Sequence, residues 1–318
     1  MTALILKRLA QMIPVLILTT IFVFGMLHLA PGDPVSLVLN ADAKAYTQED
    51  FDRVAHELGM DRPLPVQYLD WIGGVVQGDF GTSIFMRRDI GPILLDRLEA
   101  TSILALGALI FALPIGIGGG ILSALWRGSV WDKLINAVIV GGIAFPTFAM
   151  GLFLIVLFGV EWKLLPVGGM TSFGDGSLVD RVRHLIMPAI SLGVGPAAII
   201  ARLTRSSMLE VLSQDYIRTA RAKGLKYGTV VRRHAFRNVL VPVMTVVGLQ
   251  VGYLLGGAVL VEIVFSWPGM GELIVEGIQQ RDFPVVQAGV LVIAVIFILI
   301  NLIVDLIYAL VDPRVRFG

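Results

Sequence analysis

Charge is absent from six long apolar stretches of this chain, 9–29, 100–126, 134–160, 185–201, 239–261 and 283–304, the last continuing past Asp305 to residue 311. A bilayer core about 30 Å thick is crossed by about 20 helical residues, so the pattern predicts six transmembrane helices in an all-α membrane protein. The fourth stretch is the shortest of the six. The first follows Lys7 and Arg8, as in a cleaved signal peptide, but its apolar run exceeds a normal signal core, and "HLAPGDP" beyond it has no small-x-small cleavage pattern. It is expected to be a retained span.

Polar positions concentrate in two places, an insert of about seventy residues at 30–99 and a loop at 202–238. The insert holds twelve acids against six bases. Without disulfides a segment of that length supports only a marginal core, so it is expected to lean on the outer ends of the spans. Within it "YTQEDFDRVAHELGM" has helical spacing, with Thr47 or Gln48 ahead of an acidic first turn, and "GDFGTS" reads as a glycine-punctuated turn. No internal repeat or low-complexity tract interrupts the expectation of one membrane domain over 1–318.

Composition agrees: 56% of the 318 residues are hydrophobic and 15% charged, with mean hydropathy +0.83, too apolar for a water-soluble domain of this size. The net charge of +1 singles out no acidic partner, nucleic acid included, and zero cysteines exclude disulfides and thiolate metal sites. Sorting the charges is more informative. Six spans put both termini on one side, and the termini, the 127–133 turn and the 202–238 loop together hold fifteen Lys and Arg against ten on the other side. Six of those ten lie in the long insert, which weighs little in setting orientation. Both termini are therefore expected to be cytoplasmic and the insert extracytoplasmic.

Gly248, Gly252 and Gly256 recur every fourth residue of the fifth span and offer a smooth face to a neighbour, within this chain or outside it. Pro14, Pro114, Pro146, Pro188, Pro196 and Pro242 fall in or beside spans and permit kinks. Gly118, Gly120 and Ser123 only loosely resemble a dinucleotide fingerprint, which needs a preceding strand that a charge-free span does not supply.

Nine of the basic residues lie between Arg202 and Arg237, where the only acids are Glu210 and Asp215. Asp215 suits an N-cap and Gly224 a left-handed helix end, which predicts a two-turn helix over 216–223. So short a helix needs a supporting surface. Ala220, Ala222 and Gly224 keep it slim, while Arg218, Arg221 and Lys223 can pair with acids along the rim of a groove. Gly224 is expected to need both positive φ and a close approach. A second segment, "TVVRRHAFRN", starts at a plausible Thr229 cap and leads through His234, Arg237 and Asn238 into the fifth span.

The stretch "ARLTRSSMLEVLSQDYIRTARAKGLKYGTVVRRHAFRNVLVPV", 201–243, resembles the cytoplasmic coupling region of permease subunits of ABC importers for dipeptides and oligopeptides. The family pattern is E-A-A, three residues, Gly, nine residues, then I-x-L-P. Set on Gly224, the triad falls at Arg218, Thr219 and Ala220, and the closing positions at His234, Ala235, Phe236 and Arg237; the peptide-type branch shares these departures. "HLAPGDP", "GDFGTS", "LPVGGM", "HLIMPAISLG", "FSWPGMGELI" and "NLIVDLIYALVDPRVR" extend the resemblance over nearly the whole chain.

The resemblance implies a pore-forming subunit in a bacterial or archaeal cytoplasmic (inner) membrane, working by alternating access. Its implied partners are a second homologous permease, two cytoplasmic ATPases and an extracytoplasmic solute-binding protein. Arg218, Thr219, Ala220, Arg221, Ala222, Lys223, Gly224 and Leu225 would form the ATPase-coupling element. ATP and Mg would be bound by the ATPases, with no cofactor and no catalytic residue in this chain. In agreement, no G-x-x-x-x-G-K-[ST] occurs in it. The cargo implied is a dipeptide or oligopeptide, the resemblance touching also permeases for glutathione, nickel, opines and some sugars.

The four histidines, His28, His56, His184 and His234, show no metal-ligand spacing, so no metal site is expected. Asp305 lies near the predicted cytoplasmic end, where Arg8, Arg314 or Arg316 could pair with it. Around "FSWPGMG", Glu262, Trp267, Pro268 and Gly269, with Glu272 and Glu276, could form an outer gate or touch the binding protein, and the acids could equally be solvated rim charges. An ion-coupled secondary transporter or channel acting alone, and a membrane-embedded assembly factor, are the alternative functions.

Overall fold

Helix punctuation explains most element boundaries. The computed structural model describes residues 2–29, 35, 39, 47–57 and 60–311. Helix α1 covers Thr2–Leu29. Helix α2, Gln48–Glu57, opens on a reciprocal cap: Asp50 N donates to Thr47 Oγ1 at 3.3 Å and Thr47 N to the Asp50 carboxylate at 3.1 Å. The Thr47 N–H and hydroxyl, both donating to it, hold the Asp50 carboxyl below the usual carboxylate range, with help from Arg53. Then come α3 (Leu64–Val76), α4 (Ile90–Leu125), α5 (Val130–Ala144), α6 (Thr147–Glu161), α7 (Leu178–Leu212), α8 (Asp215–Ala222), α9 (Tyr227–Phe265), α10 (Met270–Gln280) and α11 (Phe283–Val311). Among the described residues there is no strand, only an isolated bridge between Thr82 and Asp89.

Among the described residues four of these helices, α4, α7, α9 and α11, are long and apolar enough to cross a membrane. The stretch 134–160 is not one straight helix, because α5 and α6 meet at 107°. Phe145, forced toward extended geometry by the following proline, has φ −84° and ψ 123°, and Pro146 has no N–H to return to the preceding turn. The other five prolines stay inside helices. The shortest apolar stretch, 185–201, belongs to the 35-residue α7, whose best apolar window is 67% buried, the highest share among the four. Its charged ends remain helical because Asp180 and Arg205 find partners.

Two compact units divide the chain, Thr101–Trp267 with the residues from Leu299, and Thr2–Ala100 with Pro268–Ile298. In the first, α7 packs against α5, α6 and α9 and against α4 at backbone distance. A Cβ added at Gly116 would lie 2.8 Å from the Ala197 carbonyl oxygen, one at Gly120 2.5 Å from that of Ala201, and one at Gly193 2.8 Å from that of Ala108. The closest helix approach thus uses the glycines of α4 and α7. Of the expected Gly248–Gly252–Gly256 face, the first two are buried, but Gly256 is exposed with nothing within 4 Å of an added Cβ.

In the second unit Ile90, Leu94, Met270, Leu273, Val285 and Ala288 form the core. The buried Asp282 carboxylate accepts from Ser83 Oγ and from the backbone N–H groups of Ile84 and Phe85, which ties down the loop after "GDFGTS". Helix α3 has no buried residue of its own. It rests on α1 through Tyr68, whose ring meets Phe24 edge-on at 5.5 Å and whose hydroxyl lies 2.8 Å from Thr20 Oγ1. Residues 64–76 thus lean on a neighbouring apolar helix.

Candidate functional site

The basic loop folds as a clamped short helix. Helix α8 buries Ile217 completely and leaves Ala220 8% exposed, three residues apart and so on one face. Both enter an apolar cluster with Ala124, Met208, Val230 and Ala235. This is the supporting surface that an eight-residue helix requires. The other face is free: Asp215, Arg218, Thr219 and everything from Arg221 to Thr229 are exposed. Arg218 reaches Asp215 at 3.6 Å, with side chains 81% and 95% exposed, a contact that solvent screens.

The C-terminal end is as the residues predict. Gly224 has φ +77°, its N–H donates to the Arg221 carbonyl at 2.9 Å and that of Leu225 to Ala220 at 3.4 Å, the bond pair of a Schellman end. No atom lies within 4 Å of a Cβ added at Gly224, so the expected close approach is absent within this chain and the requirement is conformational alone. At the other end Asp215 is not the cap. The turn closing α7 leaves Gln214 extended, with φ −70° and ψ 150°, and Asp215 becomes the first helical residue, where its charge still favours the helix dipole.

Thr229 is likewise inside a helix. Lys226 is the extended residue before α9, and Val230–Ala235 widens into a π-helical turn. The extra residue per turn brings Val230 and Ala235, five positions apart, to the same buried side, which 3.6 residues per turn would not. The guanidinium of Arg221 stacks over Tyr227 at 5.1 Å. Asn238 Nδ2 donates to Tyr216 Oη at 3.1 Å and to the His234 carbonyl at 2.8 Å, so α9 holds α8 from the side. Arg237 and Asn238 are exposed and His234 half-buried.

Ile217, the anchor of this arrangement, went unmarked in the sequence; its signal is the lone apolar i,i+3 pair with Ala220 in a basic helix. Replacing Ile217 with alanine is expected to loosen α8, removing packing worth about 2–4 kcal/mol. Hydrogen exchange of the amides from Arg218 to Leu225 should then accelerate at least tenfold while the spans keep their protection.

The end of α9 and the segment after it are packed inward. Glu262 and Trp267 are both 0% exposed, Glu262 accepting from Thr101 Oγ1 at 2.7 Å. Glu262 is therefore no solvated rim charge. Pro268 is half-buried and Gly269 buried. Glu272 pairs with Arg97 at 2.7 Å; burial raises its carboxyl above the ordinary value, with the Arg97 charge opposing. Among the described residues no three His, Cys, Asp or Glu side chains are grouped to hold a metal ion. His184 is buried, its Nδ1 2.9 Å from the Asp180 carbonyl. The side chains of His28 and Asp305, and Arg314 and Arg316 entirely, lie outside the described residues.

Two family models match, the binding-protein-dependent transport system inner membrane component over residues 116–317 and the corresponding N-terminal component over 1–105. A dipeptide transport system permease protein of Escherichia coli K12 is 45% identical, with 98% of each chain covered. A di/tripeptide transport system permease protein of Pseudomonas aeruginosa UCBPP-PA14 is 44% identical over 99% of each. A glutathione transport system permease protein of Shigella flexneri serotype 5b is 42% identical over 98% of each. Among solved structures, an inward-facing MetNI methionine ABC transporter chain superposes with TM-score 0.56 at 19% identity, covering 69% of this chain and 96% of that one, a likeness of fold.

Proposed function

This chain belongs to the family of binding-protein-dependent transport system inner membrane components, and from that premise we propose that it carries dipeptides or oligopeptides through the membrane as the pore-forming permease subunit of an ATP-driven importer. It is a multi-pass inner membrane protein. Six crossings, with α1 as one and the bent α5–α6 pair as another beside α4, α7, α9 and α11, would place both termini in the cytoplasm and residues 30–99 outside, as the distribution of Lys and Arg supports. Peptide cargo is favoured by the relatives of 45% and 44% identity, which are named for dipeptide and di/tripeptide transport.

One observation carries the coupling role: a short helix pinned to the spans by Ile217 and Ala220 presents an exposed basic face and a rigid glycine-closed end. Such a prong can pass motion both ways. An ATPase pair that closes on ATP and Mg would push α8, and through the shared apolar cluster α7 and α9, switching the pathway between outward and inward access. Arg218, Arg221 and Lys223 offer the charges, and Thr219, Ala222, Gly224 and Leu225 the rest of the exposed face, while Ala220 helps to pin the helix. A second permease would complete the pathway, and an extracytoplasmic binding protein would deliver the peptide.

Purification of the tagged chain from its native membrane tests this. Two ATPase subunits and a second permease are expected to co-purify, and vesicles loaded with ATP should take up peptide only when the binding protein is present. Uptake driven by an ion gradient without any ATPase would overturn the proposal in favour of a secondary transporter.

A further inference from the structure

Three helix ends of the first unit meet around one buried carboxylate. Ser129 caps α5 by accepting from Asp132 N at 3.2 Å, and the Asp132 side chain, 7% exposed, turns back toward the end of α4. Ser123 Oγ donates to its Oδ1 at 2.6 Å and the Gly128 N–H to its Oδ2 at 2.9 Å. Arg205 of α7 closes the site with a two-pronged contact, Nε to Oδ1 and Nη2 to Oδ2, each at 3.0 Å, Nε also reaching Ser123 Oγ at 2.9 Å. Asn136 Nδ2 adds a bond to Oδ1 at 2.7 Å. At the same level Gly120 lets the α7 backbone close on α4, Arg205 N lying 3.0 Å from where a Cβ would be.

The position of this fork along α7 is informative. Seven residues past Arg205, about 10 Å at helical rise, α7 ends at Leu212 and the chain turns into α8. In between, Met208 is fully buried in the cluster that receives Ile217 and Ala220. Helix α8 is thus fastened to α7, and α7 is fastened to the α4–α5 turn by charge. Apolar contacts alone would let helices slide by small steps. A bidentate guanidinium–carboxylate contact, with both oxygens further bonded, has a single register.

We propose that Asp132 and Arg205 are the positioning pair of the coupling loop: the fork locks the end of α7 to the α4–α5 turn, so that displacement of α8 moves the three helix ends as one block. The proposal rests on α8 being the ATPase-docking element. Loss of the fork would let α8 follow its partner while α4 and α5 lag, so ATP would be hydrolysed without transport.

Asp132→Asn and Arg205→Lys are to be compared with the unaltered chain in the complete complex, reconstituted with its ATPases and supplied with binding protein and peptide. ATP hydrolysis and peptide uptake are read in the same vesicles. Both variants are expected to recover the ATPases in normal proportion and to keep hydrolysing ATP, while peptide moved per ATP falls about tenfold. An unchanged ratio overturns the proposal. So does a parallel loss of hydrolysis and uptake that tracks the amount of complex recovered, since that marks a purely structural pair. If neither variant assembles, Ser123→Ala decides, because it removes the hydroxyl that bonds Asp132, Arg205 and Asn136 but no charge: a fall in peptide per ATP supports the positioning role and an unaltered ratio refutes it. Absence of ATPases from the unaltered complex would instead refute the docking role of α8.

Discussion

Gly224→Val is expected to abolish ATP-driven uptake while leaving the chain in the membrane. The backbone at Gly224 has φ +77°, a conformation that costs an ordinary L-residue about 1–2 kcal/mol and a β-branched one more. Space is not the obstacle, since an added Cβ would meet nothing within 4 Å. The strain falls on the two bonds that end α8, Gly224 N to Arg221 O and Leu225 N to Ala220 O. Relieving it means unwinding the last turn, which would turn Arg221, Lys223 and Leu225 away from their present directions. Gly224→Asn tolerates left-handed geometry and is expected to retain most of the uptake. Transport assayed in vesicles for both variants separates conformation from bulk; equal activity of the two would remove the conformational argument.

The largest effect on stability is expected at Gly120. A Cβ there would lie 2.5 Å from the Ala201 carbonyl oxygen and 2.6 Å from Thr204 Cβ, contacts with rigid helix rather than with the end of a flexible side chain. Helix α7 has little freedom to retreat, because Arg205, one residue beyond Thr204, is held by Asp132 and Ser123. Gly120→Leu is expected to cost more than about 3 kcal/mol and to deplete the chain from the membrane fraction. Gly118→Ala, two residues away with open space at its Cβ, should leave yield and thermal melting unchanged. Similar yields for the two variants would show that α4 and α7 do not pack as described.

The two replacements differ in what the sequence tells about them. The left-handed end at Gly224 follows from a glycine after a basic two-turn segment and was legible locally. The role of Gly120 was not, because three consecutive glycines, Gly118, Gly119 and Gly120, look alike in the chain and only one faces α7. In the fifth span, likewise, even spacing does not tell that Gly248 and Gly252 are buried within this chain while Gly256 is exposed. At α8 the helix and its basic rim were legible, but the true cap, Gln214, was displaced by the turn that ends α7.

What the sequence by itself determined is the order of apolar helices, the imbalance of Lys and Arg between the two sets of connections, and the glycine and proline punctuation. These are sums over neighbouring residues: each side chain's preference for water or lipid, and each backbone's allowed angles, act within a few positions. Only the tertiary structure decided which buried polar groups meet. Arg205 joins Asp132 across 73 positions, Glu262 joins Thr101 across 161 and Asp282 joins Ser83 across 199. A buried charge must find a partner or stay out of the interior, but local pattern does not name the partner, because the choice depends on where distant helices come to lie.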